Sequence, residues 1–584
     1  MRLLDWAVVG AYLLISLGIG LFFVRRASGS MEDYFVAGRS LRWWVIGFAN
    51  CATYTGGSAA WVMLVFQDGL AGNFWWWPSW VVWMPLVAVL WARYWRRMGI
   101  VTTAEFIELR YGGRASRGYR VIYALYSCLG WAPIATGYMT GWIVVELGPI
   151  LGWSRVEITL ACGALVLIYT VVSGLFGVVY NQIFQFCFYL AGTSLLLPAM
   201  IRSLGGWHGT LNAAAALRGP AFLQPLPHSP SLTPEVLLAL FVMGFFFAAN
   251  PMAGEGSTAQ RFMAAKDETH AALGQMFSAL LALVVRVIPF IIFGIVAAAL
   301  YPKGSIAPEL IWSRLVMRFA PTGLLGVVVA AELAGYMAIA NGFMNWGASF
   351  LANDIYRGAI HPRATERQLA VASKVATVTI ICLSFLVSIL LVDRMMSWFL
   401  YINGVMIAFV LPLAWLRFFW WRLNIWGEAA GVLLGLPLGY LIWFPLGFSQ
   451  RPFWQAFFVL FVAGWALILA VTLFTPAESR EQLRKFYEKC RPPGLWGPVA
   501  EEFPTEARRR IHREFRGDLV SCFIGIVLCT GMVVTLNAVV AGAWLLVLVA
   551  ATAALASGLL FMHRWKTRNR ASESDLAPQQ VNRG

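Results

Sequence analysis

Three ionisable residues stand inside long apolar runs, where a charge is costly. Arg286 lies in LLALVVRVIPF, Glu332 in GVVVAAELAGYMAIANGF and Glu255 in FFFAANPMAGEGSTAQR. A lone charge at the centre of a bilayer costs about 2.5–3.5 kcal/mol on insertion scales, so such residues face protein or a wet path and mark routes for ions and protons. Arg286 and Glu332 are expected to pair as a structural salt bridge. The alternative is that Glu332, or Glu255, accepts a proton. Enzyme chemistry finds no support: the sequence shows no nucleophile set, no metal cluster and no paired acids. The 8 cysteines have no C-x-x-C spacing and read as free thiols packed as small hydrophobes, and the 6 histidines form no metal-like cluster.

Two of the apolar runs are unsuited to plain helices. NCATYTGGSAAWVML, residues 50–64, sets Asn50, Thr53, Thr55 and Ser58 beside Gly56 and Gly57. The second run, residues 245–261, holds Asn250, Pro251, Gly254, Glu255 and Gly256. Proline removes a backbone donor, and glycine costs about 1 kcal/mol of helix propensity. In hydrocarbon a freed backbone group must be buried in protein or line a cavity. Secondary transporters build central sites from such discontinuous helices, whose half-helix ends present carbonyls and amides. The plainer alternative is that the glycines only let a neighbouring helix approach closely.

These pieces sit in a chain that is 60% hydrophobic and 12% charged. About fifteen apolar stretches are long enough to span a bilayer at 1.5 Å per helical residue, which predicts an all-α polytopic membrane protein. The first stretch, with only Arg2 before it and no cleavage site, reads as a span and not a signal peptide. The net charge of +16 does not point to nucleic acid. Basic residues gather in alternate loops, as at Arg93, Arg96 and Arg97, at Arg261 and Lys266, and in 475–517. That is the positive-inside pattern, and it predicts an external N-terminus and a cytoplasmic C-terminus. The breaker-rich segments lie about 200 residues apart, each opening a block of five spans, which is the spacing of an inverted repeat.

The surroundings of the breaks are aromatic. Tyr54 and Trp61 follow the first, Phe247 precedes the second, and Trp75, Trp76, Trp77 and Trp80 open the third span. Aromatic faces suit a sugar or a cationic amine. Trp75 to Trp77 are expected to form an interfacial belt instead. The candidate substrate-binding set is Asn50, Thr53, Tyr54, Ser58, Trp61, Phe247, Asn250, Glu255, Asn341 and Asn345, suited to a small polar organic solute.

The chain resembles the sodium:solute symporters. The resemblance rests on MEDYFVAGRSLRWWVIG at 31–47, VTTAEFIELRYG at 101–112, SGLFGVVYNQIFQ at 173–185, AQRFMAAKD at 259–267 and MNWGASFLANDIYRG at 344–358. The last two spans and KFYEKCRPPGLWGPV at 485–499 look like the extension of larger bacterial members. The resemblance implies alternating access in a core of two inverted five-helix repeats. It also implies a principal sodium site built from carbonyls at Cys51 and Tyr54 and a hydroxyl pair. That pair falls on Ala338 and Ile339, which offer no side-chain oxygen, and a family aspartate falls on Gln182, which removes a carboxylate.

The expected organisation is a first span and loop (1–42), repeat one (43–200), an external loop (201–233), repeat two (234–416), accessory spans (417–474), a basic cytoplasmic loop (475–517) and two last spans with a tail (518–584). The expected function is secondary active import of a small polar solute. Sodium is the family-typical coupling ion; a proton-coupled or ion-independent carrier or exchanger is the alternative, and a transport-dead sensor the reading of another class. No cofactor, nucleic acid or obligate protein partner is expected. The expected location is a bacterial inner membrane.

Overall fold

In the computed structural model the described residues are 1–27, 36–170, 175–227, 232–247, 256–390, 398, 400, 401, 404 and 411–574. Among them there are only isolated β-bridges, at Leu41 with Ala265 and Trp420 with Leu495, and no sheet. Ten described helices are long and apolar enough to cross a membrane. The expectation of about fifteen spans differs because several of the apolar stretches form shorter helical pieces and half of the one near 397–416 lies outside the described residues.

In chain order, α1 is Leu3–Ala27, α2 Trp43–Ala52 and α3 Ser58–Asp68. The next helix, α4, joins Trp77–Leu86, a π-helical turn Val87–Trp91 and Ala92–Met98. Then come α5 (Gly113–Leu151), α6 (Arg155–Thr170) and α7 (Gly177–Ser203). Next comes α8, Gly206–Arg218. The second half has α9 (Pro234–Phe246), α10 (Gly256–Met263), α11 (Glu268–Leu300), α12 (Leu324–Ile360) and α13 (Glu366–Leu390). The remainder is α14 (Leu411–Phe419), α15 (Ile425–Trp443), α16 (Phe453–Phe474), α17 (Arg480–Cys490), α18 (Thr505–Ala541) and α19 (Trp544–Ser574).

Two π-turns have a visible cause. Pro133 and Pro289 follow π segments at Tyr126–Trp131 and Leu281–Val285. Each proline ring collides with the carbonyl four residues earlier, Leu129 or Val285, and leaves it without its donor. A wider turn relieves the collision.

Burial orders the helices. The most apolar window of α12 is 83% buried, that of α19 only 11%. α12 is therefore the central post, packed on α1, α5, α7 and α13, whereas α19 leans on α18 and exposes Leu545, Leu548, Leu555 and Leu559. Glycines set the closest approaches. A Cβ on Gly56 would meet Ile339 Cδ1 at 2.6 Å, and one on Gly335 would meet the Tyr189 ring at 3.0 Å and Gly56 Cα at 3.5 Å. The break after α2 thus lies directly against α12.

The basic stretch 475–517 is not an open loop: it contains α17, and α18 begins inside it at Thr505. It is tied to the core through a buried polar knot. Arg417 and Glu428 form an ion pair, and the Tyr111 hydroxyl donates to Glu428 at 2.8 Å. Arg110 donates to the carbonyls of Arg417 at 3.0 Å and Leu423 at 3.1 Å, and the Trp496 indole donates to that of Phe418 at 2.7 Å. Arg417→Met or Glu428→Leu alone leaves a buried charge unpaired and is expected to destabilise by about 3–5 kcal/mol. The double variant should lose less than either single one. Thermal unfolding in detergent reads the difference, and a double variant that loses the sum would contradict it.

Candidate solute and ion site

The chain between α2 and α3 leaves the helical path. Thr53 and Tyr54 turn, and Gly57 takes φ +86°, a left-handed conformation natural only to glycine. The amides of Thr53, Tyr54 and Thr55 turn back onto the carbonyls of Asn50, Cys51 and Ala52. The Tyr54 carbonyl points away from the helix.

A cavity of about 130 Å³ opens on this break. Thr53, Tyr54, Gly56, Gly57 and Trp61 line it from the break, Trp75, Trp76, Ser79, Trp80 and Trp83 from α4 and the turn before it, and Tyr138 and Trp142 from α5. Met243 and Phe247 close it from α9, and Ile339 from α12. Trp75 and Trp76 are therefore not an interfacial belt. Trp76 and Trp77 are 2% and 1% exposed, because the start of α4 turns its rings onto α3, with Trp61 and Trp76 crossing edge to face at 4.8 Å. Above the cavity α8 caps the end of α3, where Arg218 donates to the Phe66 carbonyl at 2.6 Å.

Arg286 is fully buried beneath these rings. Its Cζ lies 4.4 Å from the Trp61 ring centroid, 5.0 Å from Trp80 and 5.2 Å from Trp76. Its Nη1 donates to the Tyr54 carbonyl, and its Nη2 has no hydrogen-bond partner among the described residues. The expected pairing with Glu332 does not form. The π-turn Leu281–Val285 immediately before Arg286 and the outward-turned Tyr54 carbonyl give the guanidinium a different partner.

Glu332, 1% exposed, takes its hydrogen bonds from Ser58, whose Oγ is 2.7 Å and 3.0 Å from the two carboxyl oxygens. Ser58 has spent its proton there, so the Tyr189 hydroxyl at 2.7 Å donates to it. Glu146 of α5, also 1% exposed, accepts the Ala59 amide at 2.9 Å, one of the orphan donors at the start of α3. The Glu146 and Glu332 carboxyl groups are thus brought together at the first turn of α3, through Ser58 and the Ala59 amide. Two buried acids that share a site favour a proton on one of them. A paired-acid arrangement thus exists that spacing along the chain did not reveal.

A second buried guanidinium lies on the other side of the break. Arg261, which loop position suggested for the cytoplasmic surface, is 1% exposed. It donates to Asn50 Oδ1 at 3.3 Å and to Gln182 Oε1 at 3.1 Å. Gln182 in turn donates to the Ala338 carbonyl at 2.8 Å, and Asn50 donates to Gln275 at 3.0 Å.

Of the residues singled out from sequence, Thr53, Tyr54, Trp61, Phe247 and Ile339 line the cavity with Gly56 and Gly57. Asn50, Cys51, Ser58, Gln182 and Ala338 are buried around it. Asn341 is buried in α12, and Asn345 accepts from Gln260 at 2.9 Å, away from the cavity lining. Gly256 opens α10 at φ +56°; Asn250, Pro251, Gly254 and Glu255 lie outside the described residues. Glu146, Tyr189 and Arg261 were missed. Glu146 alone carried a signal, as a carboxylate within TGWIVVELGPILGW.

The family profile described as "Sodium:solute symporter family" matches residues 34–435, more than half of the chain. Sodium/glucose cotransporter 4 of Danio rerio is 27% identical over 74% of this chain and 71% of its own length. A sodium/mannose cotransporter of Bos taurus is 25% identical over 86% and 91%, and the sodium/glucose cotransporter of Vibrio parahaemolyticus is 25% identical over 79% and 90%. Among solved structures, a Na+-coupled sialic acid symporter in a substrate-bound outward-open state superposes with a TM-score of 0.65. It is 19% identical, and the match covers 82% of this chain and 99% of that one. The protein is a membrane transporter and not an enzyme, and the chain belongs to the sodium:solute symporter family.

Proposed function

We propose that this protein moves a small organic solute by alternating access, and that fixed arginine charges stand where relatives would hold sodium. The observation that carries this reading is Arg286 donating to the Tyr54 carbonyl, the outward-turned oxygen of the break. Two like charges about 4 Å apart repel by about 4 kcal/mol at an effective dielectric constant of 20. A cation seeking that carbonyl meets a guanidinium already on it. It also finds no side-chain oxygen on Ala338 or Ile339, and Arg261 on the far side of Gln182. The built-in charges supply the electrostatic role of the ion without being transported.

Coupling then falls to a proton, held between Glu146 and Glu332. The pair sits against Ser58 and Ala59, the first turn of α3, so loading and unloading it acts on the half-helix that borders the cavity. The reading includes two inverted repeats (43–200 and 234–416), an external N-terminus, accessory parts at 1–42, 417–474 and 518–584, and a bacterial inner membrane. The relatives named for glucose and mannose, and the structural neighbour named for sialic acid, make organic solutes the substrate class to search first.

Reconstituted vesicles test the coupling. A proton gradient is expected to drive accumulation, while a sodium gradient at constant pH drives none. Strong sodium dependence would overturn the proposal. Glu332→Gln is expected to abolish gradient-driven accumulation, a loss of about tenfold or more, while sparing solute exchange. Equal losses in both assays would remove the coupling role. Arg261→Met should cost about 1–3 kcal/mol in thermal unfolding, since it strips Asn50 and Gln182 of a buried partner. An unchanged midpoint would show that the pair is satisfied otherwise.

A further inference from the structure

We infer that the solute is a compact, planar aromatic compound that carries no positive charge, rather than a sugar or an amine. This rests on the carrier reading and names its substrate class. Six indoles line the cavity, those of Trp61, Trp75, Trp76, Trp80, Trp83 and Trp142, and among the described residues no charged side chain does. Two of the hydroxyls at its wall are already committed as donors, and the Tyr54 hydroxyl and the indole N–H groups of Trp61, Trp76 and Trp83 are the groups left without a hydrogen-bond partner among the described residues. Thr53 gives its proton to the Asn50 carbonyl at 2.7 Å, and Ser79 gives its own to the Trp76 carbonyl at 2.8 Å. A monosaccharide brings a hydroxyl on nearly every carbon, each both donor and acceptor, more than these few groups can pair, and those left over lose water without a replacement. Sites that hold polar solutes place several convergent polar groups among the apolar ones, and this wall has few.

Size and shape agree. The cavity volume of about 130 Å³ is near the roughly 150 Å³ that encloses one benzene ring. The indoles meet one another edge to face, Trp76 with Trp80 at 5.0 Å and Trp80 with Trp83 at 5.4 Å. That arrangement extends naturally to one more ring.

Arg286 decides the sign. Aromatic walls attract cations, which would favour an amine. Here Trp61, Trp76 and Trp80 already hold the protein's own cation at 4.4–5.2 Å. An amine would share those rings with a guanidinium behind them and be repelled. A neutral or anionic ring is not.

The test uses the full chain in lipid nanodiscs, with intrinsic tryptophan fluorescence as the readout. The probes are benzyl alcohol, benzoate, benzylamine, glucose and myo-inositol. Saturable quenching is expected with benzyl alcohol and benzoate, and none with glucose or inositol. Benzylamine should bind about tenfold or more weakly than its neutral isostere benzyl alcohol. Arg286→Gln keeps a donor for the Tyr54 carbonyl but removes the charge, and should narrow the alcohol-to-amine ratio. That ratio is independent of any general loss of affinity. Trp80→Leu should weaken all the aromatic probes together. Glucose binding more tightly than benzyl alcohol, benzylamine matching benzyl alcohol in the natural protein, or no saturable aromatic binding would each overturn the inference. Counterflow in loaded vesicles separates the two readings: aromatic binding without counterflow sinks the carrier and keeps the site, whereas glucose counterflow without aromatic binding does the reverse.

Discussion

The contact between the Arg286 guanidinium and the Tyr54 carbonyl is the interaction on which the centre of this molecule depends. A broken helix leaves carbonyls that the helix can no longer satisfy, and in a membrane they must find a donor within the protein. Here the donor is a side chain on α11, so the break is capped by a residue that cannot leave. The guanidinium in turn needs surroundings that tolerate a charge without water. Trp61, Trp76 and Trp80 supply ring faces on which a cation gains electrostatic attraction. The tryptophans at the start of α4, the π-turn before Arg286 and the opening after α2 are thus parts of one arrangement.

That arrangement requires close packing on its other side. Gly56 and Gly335 bring the break against α12 within reach of Tyr189, and Tyr189 carries the hydrogen-bond chain to Ser58 and Glu332. Larger residues at either glycine would push the break away and lengthen that chain. The paired glycines therefore serve both alternatives that sequence left open: Gly57, at φ +86°, breaks the helix and Gly56 permits the close approach.

The class of fold was legible because membranes impose simple rules on composition and run length. Loop charge and breaker spacing suggested the rest of the organisation. The break at Thr53–Gly57 was legible as well, since polar residues and paired glycines within an apolar run work against a continuous helix. The partners of the charges were not. Arg286 and Glu332 are the conspicuous charges of their two runs, and pairing them was the economical reading, but pairing is a matter of distance between α11 and α12. Arg261 was hidden by position: five residues from Lys266, it looked like one more basic residue at a loop, whereas α10 turns it inward to Asn50 and Gln182. Tryptophan was ambiguous for a physical reason, because its polar edge suits the membrane interface and its faces suit a cavity. Only the turn of α4 onto α3 decides between them.

The last connection runs from charge to movement. α3 begins at Ser58, and its first turn is held from two directions, by Glu332 of α12 through the Ser58 hydroxyl and by Glu146 of α5 through the Ala59 amide. The start of a helix carries partial positive charge, so a carboxylate there is stabilised and a neutral acid is held less strongly. On the proposed carrier reading the protons on the pair and the seating of α3 are linked, since whatever weakens one hold changes the other. Three residues further along, Trp61 faces the cavity and covers Arg286. A half-helix whose first turn answers to a carboxyl pair and whose next turn borders both solute and fixed cation is placed to convey occupancy from one to the other. The linkage is reciprocal by thermodynamic necessity: a solute that favours one seating of α3 must shift proton binding by the same factor that the proton shifts its own affinity.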